Sequence, residues 1–131
     1  MQDRPWVAEL LAAIQRFLER DVVPALDGPK QFHARVAANV LAIVGRELAD
    51  EEASLGAEWQ RLATLLGETP TEPPRGIEAL RAAVRAANAA LAERIRRGDA
   101  DEGAFGAAVR RAVRETVVEK LRVANPRFLG S

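Results

Sequence analysis

The chain is 131 residues long, and its 19 Lys and Arg balance 19 Asp and Glu to a formal net charge of +0. That length makes one ordinary domain, residues 1–131, able to bury roughly 65–70% of its unfolded surface without staples. Cys is absent and His occurs once, which excludes disulfides, thiolate chemistry and multi-histidine metal sites.

The content of 48% hydrophobic and 29% charged residues is that of a folded, water-facing chain, with no apolar run long enough for a membrane. No signal pattern opens it, so the expectation is a cytoplasmic protein. Ala (26 residues), Arg (17) and Glu (13) are all good helix formers, and Tyr is absent. No strand-length window alternates apolar with polar, which makes the class all-α.

In chain order, the first helix is expected over Pro5–Val22 with Asp3 as its cap and Pro5 in its first turn. Its apolar stripe is Trp6, Val7, Leu10, Leu11, Ile14, Phe17 and Leu18. Pro24 and Asp27-Gly28-Pro29 make a turn. A second helix opens near Lys30 and carries Phe32, Val36, Val40, Ile43, Val44 and Leu48 inward. A further stripe follows at Leu55, Trp59, Leu62, Leu65 and Leu66. The step from Leu48 to Leu55 keeps phase, but Asp50 and Ser54 could cap a new start. A break or strong kink is therefore expected near residues 49–53.

Gly67 to Gly76, with three prolines, is the clear loop. It separates an acidic half (seven cations, twelve anions) from a basic half with the reverse balance. A third helix is expected over Ile77–Arg97, ended by Gly98. A fourth, capped by Asp99 or Asp101, carries Phe105, Val109, Val113, Val117 and Leu121 until Asn125-Pro126. Four to five amphipathic helices pack as an antiparallel bundle.

Four polar residues interrupt the stripes. Glu47 falls in one heptad column with His33 and Val40, Lys120 lies mid-arc on the fourth helix, Asp21 lies in the first arc, and Asn88 lies beside the third. Buried charges need partners, so the simplest arrangement sets Lys120 against Glu47 or Asp21. His33 is the chain's single histidine, the residue type suited to act as general base or pH sensor if chemistry exists. No Glu precedes it by three residues, which removes the binuclear carboxylate bundle. No metal site or cofactor is expected, and no phosphate loop, nucleophile elbow or nucleic-acid motif occurs.

Two stretches go further. Phe32-His33-Ala34-Arg35-Val36-Ala37-Ala38-Asn39-Val40-Leu41 and Val123-Ala124-Asn125-Pro126-Arg127-Phe128-Leu129 resemble the signatures of an uncharacterised bacterial family of small all-helical proteins. That family's genes accompany acyl-CoA dehydrogenases and aminoglycoside-phosphotransferase-like kinases. The resemblance implies a non-catalytic accessory role in acyl-CoA metabolism, with such an enzyme as protein partner. It maps the family motif onto His33, Arg35, Asn39, Glu47, Lys120, Asn125 and Arg127. The alternative is a small-anion-binding protein or enzyme that uses His33 with Arg35 or Arg127. Self-association into a homo-oligomer is open to any amphipathic bundle. The chain's end, 125–129, is expected to fold back as an ordered segment, with Phe128 as anchor and Arg127 near carboxylates.

Overall fold

Helix formers dominate the chain, and helix is what it makes. The computed structural model describes residues 4–69 and 72–130, so the expected cap at Asp3 lies outside the described residues. The α-helices are α1 (Val7–Phe17), α2 (Gly28–Leu65), α3 (Ile77–Arg96) and α4 (Gly103–Ala124), and no strand occurs among the described residues. The chain divides into two compact units, Met1–Asp50 with Val123–Asn125, and Glu51–Arg122 with Pro126–Ser131. No helix among the described residues is long and apolar enough to cross a membrane.

In the first unit, the Glu9 carboxylate accepts the Trp6 backbone N–H at 2.7 Å, satisfying one of the donors exposed at the start of α1. The expected helix to Val22 continues instead as a π-helical turn over Leu18–Val22. That wider turn advances less than 100° per residue and shifts the phase of everything after Phe17. Asp21, expected in the apolar arc, is consequently exposed. A 3-10 turn at Val23–Ala25 follows. The Gln31 side chain fastens it to α2 by donating to the carbonyls of Val23 at 3.0 Å and Leu26 at 2.8 Å.

The expected break near residues 49–53 does not occur, and α2 runs unbroken for 38 residues. The phase kept between Leu48 and Leu55 outweighs the capping potential of Asp50 and Ser54. Glu51 explains part of this, because its carboxylate takes Arg81 of α3 at 2.7 Å and does not cap a new helix.

The second unit holds the core. Leu62, Leu80, Val84, Leu91 and Val109 are buried together, with Leu55, Trp59, Leu65, Leu66 and Phe105 packed around them. Cross-links between α2 and α3 join Glu51 to Arg81, Glu58 to Asn88 and the Leu65 carbonyl to Arg94. The partners advance together along both helices, so α3 runs beside this part of α2 in the same direction, and α4 returns antiparallel to them. A parallel neighbour needs a connection long enough to travel back. The eleven residues 66–76 can span up to roughly 36 Å, more than the ~21 Å of helix from Glu51 to Leu65.

Two glycines have separate roles in this unit. Gly98 has φ +88°, its N–H bonds the Ile95 carbonyl at 3.0 Å, and the Asp99 N–H bonds the Arg94 carbonyl at 3.1 Å. Only glycine takes that conformation without strain, and the two bonds satisfy carbonyls at the end of α3. Gly106 serves differently. It is buried where α4 starts, and a Cβ there would lie 2.3 Å from the Ala100 carbonyl oxygen.

Candidate functional site

Two regions gather features beyond helix formation: a polar cluster in the second unit and an apolar face in the first. The cluster begins with Glu58, 7% exposed and the one buried charged residue among those described. Its carboxylate accepts the Asn88 amide at 2.9 Å. Asn88, which sequence reasoning flagged beside a stripe, thus has its partner on α2. One turn further, Arg61 reaches α4, where it donates to both oxygens of Glu119, one at 3.0 Å, and lies within 3.4 Å of the Thr116 hydroxyl. Glu115 stands 3.8 Å from its Nε. The hydrogen bond to Glu119 raises the Arg61 pKa above its ordinary value against the desolvation of partial burial, helped by the charges of Glu119, Glu115 and Glu58.

An interhelical ion pair on α4 was therefore expected with the wrong residue. Lys120, expected mid-arc against Glu47 or Asp21, is exposed. Its neighbour Glu119 supplies the charge instead, and α2 supplies the cation. Lys120 does line a cavity of about 250 Å³ with Glu58, Arg61, Asn88, Leu91 and Val117. Three carboxylates surround Arg61, so this cavity presents no net positive field to an anion. Its polar groups are largely committed to one another, as in a structural network that fixes helix register.

Arg94 is a second tie of the same kind. It bonds Asp99 at 3.1 Å and the Leu65 carbonyl at 3.3 Å, and its guanidinium stacks 3.9 Å above the Phe105 ring. One side chain thus joins the end of α2 to the turn between α3 and α4. Arg61 was not singled out from the sequence. It directly precedes the apolar stripe residue Leu62, and that flanking position was the available signal.

The first unit has the opposite character. Ala38 is its one buried residue among those described. Gln31, Ala34, Leu41, Ala42 and Gly45 are half-buried around the same side of α2. The large side chains expected inward instead face solvent: Phe32 is 63% exposed, Val40 49% and Leu48 51%, with Val36 and Val44 between them. On α1, Val7, Leu10, Ile14 and Phe17 are exposed with Trp6 before them. Small side chains on the inner face of α2 leave its bulky ridge outward.

The remaining motif residues follow that ridge. His33, Arg35 and Asn39 are exposed on α2, and Glu47 is exposed rather than buried. His33 has the Phe32 ring as its aromatic neighbour, 5.9 Å between centroids. At the other end, α4 stops at Ala124, Asn125 is the hinge, and Pro126–Gly130 forms a 3-10 turn. In that turn Phe128 is 65% exposed and Arg127 is exposed too. Arg46 donates to the Val123 carbonyl at 2.7 Å, placing a cation on the last turn of α4. No group of three or more His, Asp or Glu among the described residues is placed to hold a metal ion.

A family model described as a domain of unknown function, DUF6285, covers residues 24–128. Neither a curated protein nor a solved structure matches the chain. The match spans most of the sequence, including the Phe32–Leu41 and Val123–Phe128 stretches, and the chain belongs to that family.

Proposed function

We propose that this member of the DUF6285 family is a non-catalytic helical accessory protein that works by protein–protein association. The observation that carries this reading is the first unit's apolar surface. Ten large hydrophobic side chains between Trp6 and Leu48 are at least 36% exposed, against a single buried alanine there. Large apolar side chains left in water in such number point to interaction, because their exposure costs free energy that a partner recovers. The polar groups of the second unit support the same reading, since they are committed to holding helices together.

The resemblance in the Phe32–Leu41 and Val123–Leu129 stretches supplies the candidate clients: an acyl-CoA dehydrogenase or a phosphotransferase-like kinase. A pull-down of purified dehydrogenase and kinase on the intact chain tests it, with a Val36→Glu/Val40→Glu double variant as comparison. Retention by the wild type and loss in the variant supports the reading. Retention of neither enzyme by the wild type, or equal retention by both chains, overturns it.

A further inference from the structure

We infer that the outward ridge of α2 is a self-association surface, and that its occupant is a second copy of this chain packed antiparallel about a two-fold axis. The inference rests on reading the first unit's apolar face as an association surface, and it names what covers that face first; a client enzyme would then engage the dimer.

Three observations lead there. The first is geometry. Phe32, Val36, Val40, Val44 and Leu48 recur every four residues and are all exposed. An i, i+4 row is a ridge of the kind that interdigitates with the equivalent ridge of another helix. It has a natural centre at Val40, with two apolar residues on either side. A two-fold axis through that point sets Val36 of one copy beside Val44 of the other and Phe32 beside Leu48, so large meets large and small meets small.

The second is charge. In α2 up to Asp50, the ridge is basic at its start, with Lys30 and Arg35, and acidic at its end, with Glu47 and Asp50. Arg46 is turned away to the Val123 carbonyl. Arg35 immediately precedes Val36 and Glu47 immediately precedes Leu48, so the two lie along the same flank of the ridge. They are twelve residues apart, about 18 Å along the helix. With the axis at Val40, Arg35 of each copy falls about 3 Å along the helix from Glu47 of the other, within reach of these long side chains. A parallel pair would set like charges together, which disfavours that arrangement. The polar motif residues of the ridge thus acquire a shared role: they select orientation, in the manner of flanking charges in coiled coils.

The third is area. The five ridge side chains present on the order of 400 Å² of apolar surface to solvent, about half of what one partner contributes to a standard stable interface, and Lys30, Arg35, Glu47 and Asp50 flank it with the polar rim such an interface carries.

Sedimentation equilibrium of the intact chain reads the proposal directly. The wild type is expected at twice 14.2 kDa at micromolar concentration. Val40→Glu sets two carboxylates face to face on the axis and should weaken association at least 100-fold. Arg35→Glu and Glu47→Arg should each weaken it about tenfold, and the double reversal should restore most of the loss. Helical circular dichroism of each variant checks folding, and the reversal pair stays informative even where Val40→Glu perturbs the helix. A wild type that is monomeric up to about 1 mM overturns the inference. So does a dimer indifferent to Val40→Glu, or a double reversal no better than either single change. A monomer that still captures the dehydrogenase through Val36 and Val40 overturns self-pairing while the accessory reading stands; failure of both measurements removes both.

Discussion

The two units of this chain are made from the same residue types, yet they solve burial in opposite ways. The second unit places Leu62, Leu80, Val84, Leu91 and Val109 together at 3–6% exposure and ties its helices with Arg61, Arg81 and Arg94. The first unit turns Ala34, Ala38 and Ala42 inward and Phe32, Val36 and Val40 outward. The difference teaches that an amphipathic stripe does not by itself define a core. The stripe in the second unit is satisfied within the unit, whereas the stripe in the first is left for another surface.

The largest expected effect lies in the second unit. Gly106→Ala forces a Cβ to 2.3 Å from the Ala100 carbonyl oxygen, which is backbone and cannot swing aside. The loss should reach about 3 kcal/mol, the upper end for overpacking, read by urea denaturation. An unchanged midpoint would show that the start of α4 is loosely seated.

Next is Arg61→Met, which leaves Glu58, Glu115 and Glu119 without their cation. The Arg61 and Glu119 side chains keep 21% and 28% of their exposure, so the cost should be about 2 kcal/mol, below that of a fully buried pair. The sign of its pH dependence follows from the raised Arg61 pKa. A cation whose pKa rises on folding contributes fully below its unfolded value and loses that contribution only as pH climbs through the folded one. For arginine that window lies far above pH 10, so the Arg61→Met penalty should be the same at pH 7 and pH 9 by thermal denaturation. A smaller effect is expected for Asn88→Ala, which removes the amide donor from the buried Glu58 carboxylate and should cost about 1–2 kcal/mol. A neutral result there would mean that water replaces the amide.

The smallest stability effect belongs to the first unit and sharpens the contrast. In the dissociated chain, Val36→Gln alters an exposed position and should shift stability by no more than about 0.5 kcal/mol. In the associated chain the same change should cost more. Equal costs at dilute and concentrated protein would erase the distinction between the units.

Much of this was legible in the residues. Period-3.6 patterning, the glycine after Arg97 and the Asn125-Pro126 stop are local signals, and they located the helices, the end of α3 and the end of α4. The sidedness of α2 was not legible. Periodicity groups Phe32, Val36 and Val40 on one face and Ala34, Ala38 and Ala42 on another, but it does not say which face meets protein. The direction of α3 was hidden for a related reason, since it depends on how residues 66–76 are traversed rather than on α3 itself. Among the candidate polar residues, Asn88 was correctly marked as needing a partner. Glu47, Lys120 and Asp21 were misread as buried because a helical wheel assumes constant phase and a single buried arc. The π-helical turn at Leu18–Val22 breaks the first assumption, and the outward ridge of α2 breaks the second. The Arg61–Glu119 pair escaped notice because both residues flank stripes where charge is ordinary.

Native-state hydrogen exchange along α2 tests the central claim most directly, because one continuous helix passes from one unit into the other. Amides after Trp59 should exchange slowly at every protein concentration, protected by the core around Leu62. Amides from Phe32 to Leu48 should exchange fast in dilute solution and slow as concentration rises, since association stabilises by mass action what the unit does not stabilise alone. Protection that is uniform along α2 and independent of concentration would contradict the account.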